Sequence, residues 1–547
     1  LKKMKLLINN KFKNIFFLIL VSLIFVIPLF SSNFYASHDG EAIIARFGAY
    51  VKASNDGQFP LRWAGDLNFR YGSPVLIFYY PLPGIFLIPL NAIGISLENT
   101  FKIIIGFSFI LSFVSFYLWI RELVKDEYAA LLGGILYGLT PYHFLNLYVR
   151  AGVAELMALS LVPLVFLFIE KASKKVDLRY VIAGGVLYGL LILSHNSVSL
   201  LFTPIFLAYS FLRGKNKQAI FQSLSILILG LFISAFFWLP AIVEAKYTNA
   251  KLFIDMFKLQ FPSFWKLVYS PWGFGPEVNR ERGLSPQIGP MNLFLVIISL
   301  LFLFKKNESK KLFIFWFVVF LLSTLLILNI STPVWEIVPF LKSLQYPWRI
   351  VGISSFAAVV LVSLWLRSVN NFFRLAILAA ILIYSIQFLK VNYIPSKPDS
   401  FYFNYSSTTY YHSEASPIWT AGDFGDYPKK NIEIISGQGS INASKRKSNI
   451  HEFTVKGETA LEVLDNTVYF PGWQVLVDGG KTPIEFQNAY HRGLITFRVP
   501  KGEHLIKVIF GESPLRLFAD LISLTTLFCI FLLILLKSKL EKLILKF

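Results

Sequence analysis

Residues 37–80 read SHDGEAIIARFGAYVKASNDGQFPLRWAGDLNFRYGSPVLIFYY. The stretch follows a long apolar run directly and concentrates ionisable and aromatic side chains in a chain that is otherwise dominated by lipid-compatible residues. Its ionisable residues include His38, Asp39, Glu41, Arg46, Asp56, Arg62, Asp66 and Arg70. Ionisable groups at a membrane are costly and are typical of a functional site. We therefore expect the rest of the chain to be a membrane scaffold that positions this loop.

The composition indicates the class of protein. Hydrophobic residues make up 55% of the chain, charged residues 15%, and the mean hydropathy is +0.59. A water-soluble globule of this composition could not present a polar surface, so the chain is predicted to be a polytopic membrane protein. The net charge is +20, but the basic residues lie in short runs at the ends of apolar segments. That distribution is a topology signal and does not indicate nucleic-acid binding.

The sequence also excludes several kinds of site. Cys529 is the single cysteine, so no intramolecular disulfide and no cysteine-based metal site can form. The patterns G-x-x-x-x-G-K-[ST], G-x-S-x-G and H-E-x-x-H are absent from the sequence. Their absence argues against a nucleotide-driven pump, a serine hydrolase and a zincin.

Twelve apolar runs are of spanning or near-spanning length. They lie at residues 15–30 and at about 100–120, 127–141, 153–170, 179–194, 197–212, 219–240, 291–305, 311–329, 349–366, 372–390 and 515–536. Lysines precede the first run as in a signal peptide, but no clean small-residue cleavage pattern follows, so a retained first helix is predicted. Segment 74–95 is long enough to cross but contains four prolines, and we interpret it as re-entrant.

With segment 74–95 re-entrant, the basic runs fall on one face of the membrane, as the positive-inside rule requires. Both termini of this multi-pass plasma-membrane protein are then cytoplasmic. The outer face holds every polar constellation of the chain: the loop 31–99, the turn 142–152, the His195–Asn196 turn, the loops 241–290 and 330–348, and the region 391–514.

Residues 391–514 are predicted to form a separate extracytoplasmic domain. Residues 494–499 and 505–510 show the period-two alternation of β-strands. It would turn one set of side chains toward a core: Ile495, Phe497, Val499, Ile506, Val508 and Phe510. Gly-containing turn sequences separate such segments, which favours an antiparallel β-sandwich. The chain thus divides into a transmembrane domain, 1–390, this domain, and a final helix with a basic cytoplasmic tail, 515–547.

Asp39 is the first candidate catalytic residue, with His38 and Glu41 beside it. A carboxylate just beyond a membrane helix is placed to deprotonate a hydroxyl or to bind a divalent metal while a substrate lies in the interface. The alternative is that Asp39 or Ser37 only caps the helix that begins near Glu41.

Arg150 and Glu155 form the second candidate pair. Arg150 is the basic residue of an otherwise uncharged outer turn, where a guanidinium could hold a phosphate through two hydrogen bonds. Glu155 lies in the first turn of the next span, where an ionisable group needs a partner or a watery cavity. The alternative is an Arg150–Glu155 ion pair that fixes the turn, and both interpretations can hold together.

Aromatic residues and one histidine are weaker candidates. Arg62-Trp63 and Tyr79-Tyr80 offer stacking surfaces for a sugar ring, although aromatic residues are common at every membrane interface. His195 at a helix end could ligate or shuttle protons, or could be an ordinary interfacial histidine. The 346–349 turn, YPWR, reads as a membrane-interface anchor with an added cation.

Several motifs together resemble a known family. They are H-D-G at 38–40, FPLRW at 59–63, YGSP at 71–74, YYPLP at 79–83, PY at 141–142 and YVRAGVAE at 148–155. In this order they resemble the bacterial membrane proteins related to 6-pyruvoyl-tetrahydropterin synthase. YFPGW at 469–473, VDG at 477–479 and VPKGEH at 499–504 are similar to the outer domain of YfhO-like membrane proteins.

The resemblance implies the GT-C architecture of integral membrane glycosyltransferases and no pterin chemistry. Asp39 falls at the position of the catalytic acid in the first outer loop. The usual family pattern R-G-A-x-A-E is replaced here by RAGVAE at 150–155, so the two small residues are exchanged while both charged positions stay in place.

The implied activity is transfer of a sugar from a polyprenyl-phosphate donor to a glycan, lipid or protein acceptor on the outer face. Asp39 would be the base of an inverting displacement, and Arg150, assisted by Arg62 or Arg70, would stabilise the departing phosphate. Segment 74–95 would line the groove for the lipid tail. No cofactor is certain, and a divalent metal at Asp39 stays open.

Two other classes of protein stay open. A non-catalytic assembly or glycan-binding protein of the cell envelope would need exposed aromatics such as Trp473 in place of Asp39. A lipid or glycan transporter is disfavoured, because the spans contain few charges apart from Glu155 and those at their ends.

Overall fold

The computed structural model describes residues 2–280, 282–304, 309–410 and 413–544, with side chains described for 11–252, 255–536 and the same gaps. The basic residues expected at 305–308 and in the tail beyond 536 therefore lie outside the described side chains. The described part is a helical bundle joined to a β region near the C-terminus.

The helices and strands are numbered in chain order. The α-helices α1 to α21 are Lys2–Val26, Gly40–Asn55, Val75–Phe78, Leu82–Ala92, Leu97–Val124, Glu127–Gly138, Pro141–Phe144, Val153–Lys174, Leu178–Ser194, Asn196–Arg213, Lys217–Ile233, Ala235–Glu244, Phe264–Val268, Pro290–Ser299, Lys310–Ile327, Thr332–Ile337, Pro339–Lys342, Val351–Leu366, Asn371–Ser385, Asp399–Phe403 and Pro514–Ile544. The strands β1 to β10 are Phe34–Tyr35, Tyr393–Ile394, Ile432–Ser436, Gly439–Arg446, Ile450–Gly457, Leu461–Val468, Trp473–Val477, Gly480–Thr482, Leu494–Val499 and Gly502–Phe510.

Seven helices of the described chain are long and apolar enough to cross a membrane, and an eighth span results if α11 and α12, bent by 70°, count as one. The seven are Lys11–Phe30, Leu97–Val124, Val153–Lys174, Lys310–Ile327, Pro347–Leu366, Asn371–Leu389 and Pro514–Leu536. The chain is thus a polytopic helical membrane protein, with fewer candidate spans than the twelve apolar runs. The difference arises because the remaining runs form helices that are too short or insufficiently apolar, such as the 12-residue α6, which ends just before Pro141.

The bundle has a buried centre and a lipid-facing periphery. About nine tenths of the span residues of α8 and α18 are buried, whereas only about a fifth of those of α19 and α21 are. Stacked and edge-on aromatic rings fill the centre: Trp119 stacks on Phe166 and Phe356 with ring centroids 4.8 and 5.3 Å apart. Such ring pairs add about 0.5–1.5 kcal/mol each beyond the area they bury.

The β region contains two antiparallel sheets around one core. The strand orders are β4-β5-β10-β7-β8 and β3-β6-β9. The core residues predicted from the alternation are all buried: Ile495, Phe497, Val499, Ile506, Val508 and Phe510. The prediction of a C-terminal β region is confirmed, and its sheets begin at Ile432, well after residue 391.

Several contacts join the loop 31–99 to this C-terminal part, two of which involve a strand pair and a buried ring. β1 pairs with β2, so residues 34–35 lie beside 393–394. Trp63 enters the core of the β sheets, where its ring centroid lies 5.2 Å from that of Trp473 and 4.9 Å from that of Phe510. The loop that carries Asp39 is therefore fixed at both ends against later parts of the chain.

Candidate functional site

Asp39 occupies the residue before α2, but its side chain makes no capping hydrogen bond. The carboxylate is exposed and has no hydrogen-bond or ion-pair partner within the described ranges. Its position is fixed by the backbone, since the His38 N–H donates to the Val149 carbonyl at 2.9 Å and the Asp39 N–H to the Arg150 carbonyl at 3.2 Å. A free acid is thus held on a rigid turn.

Gly40 permits this close approach. A Cβ atom at Gly40 would lie 2.4 Å from the Ser37 hydroxyl and 3.3 Å from the Ala151 Cβ. The first distance is far below van der Waals contact, so a larger residue would push the 37–41 turn away from the Arg150 turn. Close packing therefore explains why glycine follows His38 and Asp39, which the motif alone did not reveal.

The two neighbours of Asp39 are engaged elsewhere. The His38 Nε2 atom is 2.8 Å from the Phe274 carbonyl oxygen. Glu41 forms an ion pair with Lys397 beside a cavity of about 160 Å³ that Glu98 and Tyr402 also line. No group of three or more metal-ligating side chains occurs among the described residues. A metal at Asp39 stays a prediction.

Arg150 and Glu155 form the ion pair that the sequence offered as an alternative. The Arg150 Nη1 donates to the Glu155 carboxylate at 2.5 Å and to the Asn146 amide oxygen at 2.7 Å. The Tyr142 hydroxyl donates to the other Glu155 oxygen, and the guanidinium lies 4.6 Å from the Trp348 ring centroid. Such satisfaction of both charges is what burial of an ion pair requires.

The structure explains why the small residues at 151 and 152 are exchanged relative to the family pattern. Ala151 adopts the left-handed conformation, with φ of +57°, which a glycine would accept without strain. At Gly152, however, a Cβ atom would lie 2.6 Å from the Asn146 Oδ1 atom that binds Arg150. The glycine is therefore needed at 152, and the turn accepts some strain at 151.

Tyr79, Tyr80 and His195 meet next to this pair. The Tyr80 and His195 rings stack with centroids 5.0 Å apart. The Arg46 guanidinium lies 3.7 Å from the Tyr79 ring centroid. Burial raises the pKa of Tyr80, and Arg46, Asp39, Arg349 and Arg150 all lie close enough to influence that pKa.

A cavity of about 190 Å³ opens beside these rings. Its lining includes Tyr79, Tyr80, His195, Gln345, Arg349 and Glu414. Arg349 was not among the residues predicted to bind substrate, because the 346–349 turn reads as a membrane anchor. The sequence did carry one indication of its role, a basic residue in a turn that the positive-inside rule assigns to the face with few basic residues.

The structure corrects two of the expected substrate contacts, Trp63 and Arg62. Trp63 is fully buried in the β core, so neither ring face is free for a sugar. Arg62 is buried too, and its guanidinium binds Glu512 at 3.1 Å and Asp520 at 2.7 Å. Arg70 is exposed, with its Nη2 3.5 Å from the Asn404 amide oxygen, and its expected substrate contact stays a prediction.

A further correction concerns Trp473, which the binding-protein alternative took as an exposed aromatic. The residue is 4% exposed and packs against Trp63, so it cannot present a ring to a glycan. The reason is the same as for Trp63: each ring fills the space that the other would leave in the β core.

The fold and these contacts define a multi-pass helical membrane protein with a polar site at one end of the bundle. Residues 76–394 match the family model of the 6-pyruvoyl-tetrahydropterin synthase related domain, a membrane protein family. The match covers more than half of the chain, so the chain belongs to this family.

A relative and a solved structure are similar to the chain. A protein from Lactococcus lactis subsp. cremoris (strain MG1363) is 23% identical over 345 residues, which are 61% of this chain and 54% of that protein. The chain thus spans about half the length of this relative. The apo crystal structure of the Archaeoglobus fulgidus oligosaccharyltransferase matches with a TM-score of 0.42 and 13% identity, over 75% of this chain and 61% of that one.

Proposed function

We propose that the protein is an integral membrane glycosyltransferase that moves a sugar from a polyprenyl-phosphate donor to a glycan, lipid or protein acceptor. The observation that carries the proposal is the free Asp39 carboxylate, which two backbone hydrogen bonds hold against the Arg150 turn. Membership of the family and the GT-C character that its motifs imply supply the reaction class.

Asp39 takes the role of general base. Its carboxylate accepts the proton of the acceptor hydroxyl, whose oxygen attacks the anomeric carbon of the donor. The bond from that carbon to the phosphate oxygen breaks, and polyprenyl phosphate departs with the bonding electrons. Attack from the opposite face inverts the configuration at the anomeric carbon.

Arg150 contributes positive charge near the departing phosphate. Its side-chain hydrogen bonds to Asn146 and Glu155 both come from Nη1, so these two residues orient the guanidinium while Nη2 stays without a partner in the described chain. Arg62 has no part in this scheme, because its guanidinium is buried against Glu512 and Asp520 around the start of α21. The exposed Arg70 keeps its proposed assisting role.

The lipid tail enters along segment 74–95, which lies on the outer side together with the β region, while both termini lie in the cytoplasm. In support, this segment consists of the four-residue α3 and the 11-residue α4. A helix of 11 residues is only about 16 Å long, about half of the ~30 Å hydrocarbon core. Such short helices suit a groove that dips into the membrane and returns.

The test is turnover of labelled polyprenyl-phosphate sugars by the purified protein in lipid vesicles. Asp39→Asn should fold like the wild type and release no label. Asp66→Asn is the matched control, because Asp66 is an acid of the same loop that is paired with Lys52 at 3.1 Å, and it should keep full turnover. Undiminished release of label by Asp39→Asn would remove Asp39 from the mechanism. No release by the wild type from any donor would refute the proposed activity.

A further inference from the structure

Arg349 is partly buried and, like the buried Arg46, has no carboxylate partner among the described residues. Arg62, Arg150 and Arg516 each bind a carboxylate, whereas Arg349 has no acidic partner within 4 Å in the ranges that the structure describes. Its Nη1 donates to the Leu344 carbonyl at 2.9 Å, and its buried Nε has no partner there. A buried cationic donor without an acceptor is costly and marks a place where a ligand can bind.

His195 supplies a second free donor. Its Nδ1 accepts a hydrogen bond from the Val198 N–H at 3.3 Å, so the neutral ring carries its proton on Nε2. Burial lowers the pKa of His195 to about 3, which keeps the ring neutral at physiological pH. Within the described chain neither this Nε2 nor the hydroxyl of the stacked Tyr80 has an acceptor.

The acid of the cavity is already satisfied. The Glu414 carboxylate accepts hydrogen bonds from the Tyr79 hydroxyl and, at 2.8 Å, from the Gln345 amide. The cavity thus offers cationic and neutral donors from Arg349, His195 and Tyr80, while its own carboxylate is occupied. Donors that converge without acceptors favour an anion.

The size and surroundings of the cavity favour a lipid headgroup. Its volume of about 190 Å³ lies below the roughly 300–1,000 Å³ of sites that enclose a drug-sized molecule, so it suits one small charged group. Its wall continues through Ala245 into α12, where Ile242 and Val243 are 69% and 37% exposed. An apolar tail can lie on that surface while the headgroup enters the cavity.

We propose that this cavity binds the phosphate group of a phosphate ester, with Arg349 as the charged donor and His195 and Tyr80 as neutral donors. Resting on the proposed function, the site would hold the phosphate of the polyprenyl donor, and Arg349 would be its main anchor. Arg150, which Glu155 and Asn146 orient, adds positive charge beside this anchor. Tyr80 connects the cavity to the proposed base, because the charges of both Asp39 and Arg349 act on its pKa.

Binding of three probes to the full chain in detergent tests the site: farnesyl phosphate, farnesol and inorganic phosphate, each by isothermal titration. We expect farnesyl phosphate to bind, farnesol not to bind, and inorganic phosphate to bind more weakly and compete. If farnesyl phosphate and inorganic phosphate bound equally tightly, the anion site would be supported and its ligand would be free phosphate. Equal binding of farnesol and farnesyl phosphate would overturn the proposal.

Arg349→Gln should raise the Kd for farnesyl phosphate at least about 10-fold, because a charge-assisted hydrogen bond is lost. Arg367→Gln is the matched control, since Arg367 is an exposed arginine at the other end of α18, and its Kd should not change. Asn196→Trp fills the cavity from an exposed lining position and should weaken binding without touching Arg349. An unchanged Kd in both cavity variants would refute the site.

The outcomes separate this site from the proposed activity. Loss of farnesyl phosphate binding in Arg349→Gln, with no sugar transfer by the wild type, would leave the phosphate site standing and remove the transferase. If the wild type and Arg349→Gln transferred sugar with the same KM for the donor, the proposed activity would stand and the phosphate site would be refuted.

Discussion

Replacing Trp63 with alanine tests whether this residue is part of the β core. The side chain is fully buried, and a buried tryptophan covers about 150–250 Å². At about 25 cal/mol per Å² that area is worth roughly 4–6 kcal/mol, and measured losses for Trp→Ala in cores are about 3–5 kcal/mol. We therefore expect the β region of Trp63→Ala to lose about 3–5 kcal/mol of stability.

Hydrogen exchange of the full chain in detergent, followed by mass spectrometry, measures this loss locally. Amides of β5 and β10, which pair with each other, should exchange roughly 10²- to 10⁴-fold faster, since each 1.4 kcal/mol is a factor of ten. Trp265→Ala is the control, because Trp265 is 74% exposed and should leave these amides unchanged. Acceleration of less than about tenfold in Trp63→Ala would refute the packing argument and reopen a ligand role for the ring.

Three other predictions concern charges and backbone. Glu155→Gln should lower the free energy of unfolding by about 3–5 kcal/mol, because it leaves Arg150 buried without a counter-charge. The double variant with Arg150→Gln should lose less stability than the two single variants together. Thermal unfolding midpoints measure both effects. Ala151→Gly should raise the unfolding midpoint, with a net gain in stability of up to about 1 kcal/mol. The reason is that the relief of about 1–2 kcal/mol of left-handed backbone strain exceeds the entropy that glycine adds to the unfolded chain. An unchanged or lower midpoint would contradict this. The hydrogen bond to Asp478 raises the pKa of His504 above 6.5, so its contribution to stability is present below pH 6.5 and lost as the pH rises through the folded pKa. An NMR titration should show this pKa falling in Asp478→Asn, and an equal pKa in both proteins would exclude the pairing.

Patterns within short segments predicted much of the fold. The period-two alternation of 494–499 and 505–510 identified the residues that face the β core, because alternation is a property of neighbouring residues. The Arg150–Glu155 pair was also within reach, since the two charges are five positions apart across a single turn. The number of spans was less accessible, because hydropathy counts apolar residues but does not show where a bend such as that of 70° after Ile233 divides a run.

Long-range contacts account for the errors. Trp63 looked like an interfacial aromatic because its partners Trp473 and Phe510 lie some 400 residues later in the chain. Arg349 looked like a membrane anchor for the same reason, since its neighbour His195 belongs to another helix pair. The role of Asp39 as a base stays a prediction, which the free carboxylate supports and turnover must test.

The attachment of the loop 31–99 to the β region has a consequence for biosynthesis. Arg62 and its partner Glu512 are 450 residues apart. At about 5–20 residues per second, the ribosome needs about 20–90 s to deliver the strands that cover Trp63 after that tryptophan has left the translocation machinery. During this interval an apolar ring and an unpaired arginine lack the partners that bury them, which makes the nascent loop a candidate client for a chaperone.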